Sequence, residues 1–227
     1  NVRRWLVEQL RGISGDRVAV GADVNPDYAL DEMPIYGVNM PQVSIDVSSA
    51  EEISAIMRLC YQNNVPVTCR GAGTGLVGGC TPVAGGVVLC TARMKRILEY
   101  DLDNFVVRVQ PGVLLNDLAE DALKHGLLYP PDPGEKYATL GGNAATNAGG
   151  MRAVKYGTTR DHICAMTVVL SNGENLRLGS AVSKTPSGYP LLDLMSGPEG
   201  PRWIIVEVTL NRLPAHSELV SWTGPLP

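Results

Sequence analysis

Apolar positions recur along the chain with two periods. Val2, Leu6 and Leu10 share one face of a helix over 1–11. From Gln42 to Val47 apolar and polar residues alternate, the mark of a strand. Ser48-Ser49 followed by Glu51-Glu52 forms a capping box and opens a helix over about 50–63, with Ile53, Ile56, Met57 and Cys60 as its buried face. Pro66 to Cys69 and Gly86 to Cys90 are short strands, completing a small βαβ-like lobe. Ile97 to Tyr100 and Phe105 to Gln110 flank the turn Asp101 to Asn104 as a hairpin. Leu115, Leu118, Ala122 and Leu123 predict a helix over 115–125 that stops at Gly126. Ala165 to Leu170 and Leu176 to Leu178, joined through Asn172-Gly173, form a second hairpin, and Trp203 to Leu210 is a long last strand. The fold class is therefore α+β. An N-terminal helical segment (1–34) precedes two α/β lobes, at about 35–91 and 92–214, the larger one a mostly antiparallel sheet with helices. A tail rich in Pro and Gly follows over 215–227.

Composition narrows the function. The 227 residues are 44% hydrophobic and 19% charged, with a net charge of −4. Mean hydropathy is +0.03. A chain like this folds around a core of its own, and without a Lys/Arg cluster it lacks the concentrated positive charge that phosphate backbones or anionic membranes require. No stretch approaches the length of an apolar membrane span. The start, NVRRWLVEQLRG, is too polar for a secretory leader and reads as a processed end. Five cysteines (Cys60, Cys69, Cys80, Cys90, Cys164) show no CxxC spacing and an odd count, which fits a reduced, cytoplasmic setting. His125, His162 and His216 are scattered, so no metal site is expected.

The unusual quantity is glycine, 25 residues in all, against a usual share of roughly 7%. Two loops hold much of it. One is Arg70-Gly71-Ala72-Gly73-Thr74-Gly75-Leu76-Val77-Gly78-Gly79, entered directly from a strand. The other is Leu140-Gly141-Gly142-Asn143-Ala144-Ala145-Thr146-Asn147-Ala148-Gly149-Gly150. Small residues let successive N–H groups point into one concavity, a nest for phosphate oxygens, and Thr74, Asn143, Thr146 and Asn147 add side-chain donors. Gly73 to Gly78 satisfies GxGxxG, but Pro82 and a Val-Val-Leu strand follow where a dinucleotide-binding fingerprint needs a helix and a later acidic residue. No Walker motif is present. The nest therefore belongs to a different diphosphate-binding fold.

In order, Val67 to Gly79, Pro130-Pro131-Asp132-Pro133, Thr139 to Gly150, Lys155-Tyr156-Gly157 and Arg160-Asp161 resemble the FAD-binding domains of the vanillyl-alcohol oxidase (PCMH) type, and within them the glycolate oxidase D-subunit and D-lactate dehydrogenase branch. The resemblance covers roughly 35–213. It implies that Arg70, Gly71, Ala72, Gly73, Thr74, Gly75, Gly78 and Gly79 wrap the FAD pyrophosphate. It implies further that Pro131, Asp132, Thr139, Gly142, Asn143, Thr146, Asn147, Gly149 and Gly150 line the flavin and ribityl side, with Tyr156 and Gly157 nearby and Ile205 toward the adenine or ribityl chain. Where some relatives carry a flavin-linking His in the first loop, this chain has Thr74, so the FAD is expected to be non-covalent.

The implied reaction is oxidation of a small 2-hydroxy acid, D-lactate or glycolate, by hydride transfer to flavin N5. Electrons would pass on to an electron-transferring flavoprotein or the respiratory chain. Two alternatives stay open: a flavoenzyme like UDP-N-acetylenolpyruvoylglucosamine reductase, and a non-catalytic module that binds FAD or a diphosphate. In the segment that resembles the family stretch ending in Gly-Ser-Glu-Gly-Thr-Leu-Gly-Ile-Ile, Pro190 stands where Asp is usual, Pro198 for the Ser and Pro201-Arg202-Trp203 for Thr-Leu-Gly, departures that weigh against tight FAD binding. Family members carry a substrate-binding cap domain that follows; nothing after Pro214 resembles it, so no catalytic residue is assigned. Lys155, His162, Cys69 and Cys80 each have a structural reading: an exposed cation, a buried hydrogen-bonded imidazole, and small buried thiols.

Overall fold

The computed structural model describes residues 2–33, 35, 37–180 and 203–214. In chain order its elements are α1 (Arg4–Ser14), β1 (Val18–Val20), β2 (Val43–Asp46), α2 (Ala50–Gln62), β3 (Val67–Arg70), β4 (Val87–Cys90), β5 (Ile97–Asp101), β6 (Val106–Val109), α3 (Leu115–Lys124), β7 (Leu127–Leu128), α4 (Leu140–Thr146), α5 (Ala153–Tyr156), β8 (Ile163–Leu170), β9 (Asn175–Gly179), β10 (Trp203–Asn211) and β11 (Leu213–Pro214). Pro190, Pro198 and Pro201 lie outside the described residues.

The first sheet has the order β1-β2-β4-β3, with β2, β4 and β3 parallel and β1 antiparallel at the edge. Its βαβ unit is the expected one, with β4 inserted between the two strands that α2 connects. Ser49 caps α2 by accepting the Glu52 N–H at 3.1 Å, but the Glu52 carboxylate turns to Ser48 instead of closing the box on Ser49. Ser14 and Arg17 also donate to it, so α1 and α2 share one buried anion. Both α1 and β1 precede residue 35, and Leu6, Leu10 and Val18 belong to the same core as Val43, Ile45, Ile53, Ile56 and Leu89.

The second sheet is antiparallel, in the order β5-β6-β10-β8-β9. Both expected hairpins form, although Phe105 sits in the turn at φ +54° instead of the strand. Strand β10 is central and apolar on both faces. Ile204 and Val206 join the first core, whereas Ile205, Val208 and Leu210 join a second core with Leu115 and Leu118 of α3 and Leu140 and Ala144 of α4. A register shift between Ile205 and Glu207 accompanies the exchange of faces. The two sheets are thus joined through opposite faces of one strand.

Candidate functional site

A cavity of about 380 Å³ opens between the carboxyl ends of β3 and β4, α4, and the start of β10. In sheets with parallel strands this end is where ligands sit, because loops and free N–H groups converge there. Eleven of the residues singled out from the sequence line it: Gly71, Ala72, Gly73, Thr74, Gly75, Gly79, Thr139, Gly142, Asn143, Thr146 and Ile205. Among the described lining residues there is no Lys, Arg or His, and the free backbone N–H groups of the glycine loop are donors they offer an anion.

The first wall is the glycine loop leaving β3. No hydrogen bond among the described residues occupies the N–H groups of Gly71 to Gly75. Arg70 does not reach the cavity. Its buried guanidinium lies under the loop, where Nη1 donates to the Leu30 carbonyl at 2.7 Å and the Cys80 sulfur at 3.3 Å, above the Tyr28 ring. Gly73, at φ +80°, rests on that guanidinium, and any Cβ would collide with it. Gly78 also faces away, its N–H donating to Asp31 Oδ2 at 2.7 Å.

The second wall corrects the sequence reading, which treated 140–150 as a loop. Residues 140–146 form α4, capped by Thr139 through the Gly142 N–H at 3.2 Å and closed by Asn147 in the left-handed conformation. Two glycines in its first turn are poor helix formers, but Leu140 and Ala144 are buried in the second core, and tertiary packing overrides propensity. Gly141 is needed for contact: a Cβ there would lie 2.6 Å from the Pro111 ring. The Leu140 and Gly141 N–H groups are spent on the Val113 and Pro111 carbonyls, both at 2.8 Å, so this wall is no second phosphate nest. It offers instead small surfaces, the Thr146 hydroxyl and Asn143. Asn143 is 4% exposed, and its Nδ2 has no partner. A buried amide donor without a partner, in a residue that lines a cavity, is a candidate contact for a ligand. The two walls touch where Gly71 packs against the Thr139 side chain.

The remaining expected residues support the second wall without lining the cavity. Pro131 is buried, while Asp132 accepts from Lys136 and pairs with Arg152 at 3.4 Å. Gly150 packs against the Asp132 carbonyl, and Gly149 approaches Thr158. Asn147 Oδ1 accepts the Arg160 N–H at 2.9 Å. Gly157 lies against Asp161, and Tyr156 packs under the Lys155 ammonium at 4.8 Å. His162 is buried between Asn211 Oδ1 and the Tyr156 carbonyl, at 2.8 Å from each, as its structural reading requires.

Sequence reasoning missed Asp31, Thr91, Pro111, Pro133, Glu135 and Ala138 as lining residues. Pro133 alone carried a signal, as part of Pro-Pro-Asp-Pro. Trp203, noted only as a departure, stands in the cavity wall with its indole N–H unpaired. Cys69 and Cys80 line it too. Burial, with Cys90 and Cys80 as neighbours, pushes the Cys69 thiol up to about 12, and burial raises Cys80 against the pull of Arg70. Both are thiols at neutral pH, not thiolate nucleophiles. All five cysteines are free, and no metal-binding cluster occurs among the described residues. Nor does any described helix have the length and apolarity to cross a membrane.

Comparison with known proteins places the fold and the family. Two solved structures share the fold: an alkyldihydroxyacetonephosphate synthase (TM-score 0.83, 22% identity, covering 94% of this chain and 41% of that one) and p-cresol methylhydroxylase (TM-score 0.78, 20% identity, 94% and 44%). Among curated relatives, a D-lactate dehydrogenase of Anaerostipes hadrus is 56% identical over 220 residues, 97% of this chain and 46% of the relative. The glycolate oxidase subunit GlcD of Bacillus subtilis is 42% identical over 188 residues, 82% of this chain and 40% of the relative. This chain spans less than half the length of these relatives. The model of the FAD binding domain family matches residues 41–179, more than half of the chain. With 56% identity to one of these relatives as well, the chain belongs to the FAD binding domain family.

Proposed function

We propose that this chain is the flavin-carrying part of an oxidoreductase that oxidises a small 2-hydroxy acid of the D-lactate or glycolate type. The names of the 56% and 42% identical relatives support the substrate class. The observation that carries the cofactor site is the convergence of a glycine loop with unpaired N–H groups and a helix with an unpaired buried amide on one cavity.

Gly71 to Gly75 would hold the diphosphate through backbone N–H groups, in a site without competing cations. Asn143, Thr146, Thr139 and Gly142 would face the flavin and ribityl portion, Asn143 Nδ2 donating to a ring acceptor. Ile205 and Trp203 would wall the far end. The chemistry supplied by bound FAD is acceptance of a hydride from the hydroxyl-bearing carbon, and the chain's part is orientation and exclusion of water. Cys69 and Cys80 held as thiols, and no His among the described lining residues, support the reading of non-covalent attachment. No described lining residue is assigned to bind the acid or take its hydroxyl proton, and the electron acceptor would be an electron-transferring flavoprotein or the respiratory chain. The working compartment would be the cytoplasm.

Purified protein should be yellow and release FAD on heating. A colourless protein that takes up no added FAD would refute the cofactor site, and colour retained in an acid pellet would refute non-covalent binding. In the full-length protein D-lactate or glycolate should bleach the flavin without oxygen. Bleaching by NADPH instead would favour the reductase alternative.

A further inference from the structure

The glycine loop is held from beneath by a strap lying 47 residues earlier in the chain. Asp31, at its centre, is 3% exposed and uses both carboxylate oxygens: Oδ1 accepts the Met33 N–H at 2.8 Å and Oδ2 the Gly78 N–H at 2.7 Å. On one side of it the Glu32 N–H donates to the Gly75 carbonyl at 3.1 Å, and on the other the Leu30 carbonyl receives Arg70 Nη1 at 2.7 Å. Three consecutive residues thus grip the base, the middle and the far turn of the loop. Asp31 also reaches the cavity itself, where an ideal Cβ on Gly75 would lie 3.4 Å from its Oδ2.

A carboxylate in the wall of a diphosphate site is the wrong charge for its ligand, since like charges at short range repel. Its contribution must come through geometry. Two backbone donors need two acceptor oxygens in one plane, which a carboxylate supplies. We propose that Asp31 is a positioning residue for the cofactor: by taking the Gly78 N–H and fixing the return of the loop, it sets the curvature that leaves the N–H groups of Gly71 to Gly75 open to the cavity. This inference rests on the reading that the loop holds the FAD diphosphate.

The test uses the full chain, FAD-free and reconstituted, with Asp31→Ala and Asp31→Asn. Loss of both acceptors in Asp31→Ala should raise the FAD Kd about tenfold or more, the scale of a charge-assisted hydrogen bond. Asp31→Asn keeps one acceptor oxygen and removes the opposing charge, so it should lie closer to wild type than to Asp31→Ala. In the FAD-free protein, amide hydrogen exchange at Gly78, whose N–H Asp31 holds, should quicken in Asp31→Ala while exchange over 87–90 stays unchanged. An unchanged Kd in Asp31→Ala, or an Asp31→Asn variant as weak as Asp31→Ala, would overturn the proposal. So would faster exchange spread equally over Gly78 and 87–90 with a lowered apo melting temperature, which marks a merely structural residue. If the wild-type chain takes up no FAD, the cofactor reading fails, and the exchange result alone decides whether Asp31 shapes the loop.

Discussion

Replacing Asn143 with leucine should move the two forms of the protein in opposite directions. The side chains are nearly equal in size, and position 143 is 4% exposed in α4. In the FAD-free protein the Nδ2 group is buried without a partner. Such a group costs about 1–3 kcal/mol, and an apolar group of the same shape removes that cost. Leucine is also the better helix former by a few tenths of a kcal/mol. At about 2–4 °C per kcal/mol for a chain of this size, the apo melting temperature should rise by roughly 2 °C or more. Binding should change the other way. Loss of one donor to the flavin raises the Kd by about tenfold, the equivalent of roughly 1.4 kcal/mol. At an FAD concentration 100 times the wild-type Kd, the stabilisation conferred by FAD falls from about 2.7 to about 1.4 kcal/mol. Thermal melts of apo and FAD-loaded Asn143→Leu, with isothermal titration of FAD, measure both quantities. An apo form that loses stability together with an unchanged Kd would refute the argument, since Asn143 would then be a satisfied structural residue.

Glu52 offers a pH test. Desolvation pushes its carboxyl up, but hydrogen bonds from Arg17, Ser14 and Ser48 outweigh this and hold it below the usual value of 4.5. A depressed pKa contributes stability above the unfolded value that is lost as the pH falls through the folded one. The urea midpoint gap between wild type and Glu52→Gln should therefore be clear at pH 7 and shrink as the pH falls below the ordinary value of 4.5; a gap that widens in acid would contradict the assignment. Gly141→Ala places a Cβ 2.6 Å from the Pro111 ring and should cost about 1–3 kcal/mol by overpacking, with FAD affinity reduced because α4 is displaced. An unshifted melt would show that Pro111 yields freely. Cys69, with its thiol pushed up to about 12, should react with iodoacetamide far more slowly at pH 8 than a free thiol; mass spectrometry of the labelled peptide decides.

Much of this was legible because residue type and spacing are local properties. The face of α2, the Asn172-Gly173 hairpin and the Arg70 to Gly79 loop each follow from a few adjacent residues. What escaped depends on contacts made across the fold. Strand β1 has three residues, too few to show a period, and exists because it pairs with β2. Helix α4 looked like a loop because its glycines mask a helical pattern that only burial against α3 and β10 enforces. Asp31 carries no motif and gains its role from a partner far along the chain. Gly78 read as a phosphate ligand by its place in a glycine run, yet that same Asp31 has already engaged its N–H. Trp203 shows the converse: named as an obstacle, it forms part of the cavity wall with a donor to spare.

The place of β10 in the second sheet has a consequence for the order in which the protein is made. It lies between β6 and β8, so this sheet has no middle until residues 203–211 have left the ribosome. The strand pairs of the first sheet need only residues up to Cys90 and can form while the rest of the chain is still being synthesised, although Ile204 and Val206 of β10 complete the core beneath it. The glycine loop would then be shaped early, with α4 and Ile205 brought opposite it only at the end. On the proposed reading of the cavity, capture of FAD would accordingly be a late event in biogenesis, and a nascent chain halted before Trp203 would display half of that cavity and an unfinished sheet edge.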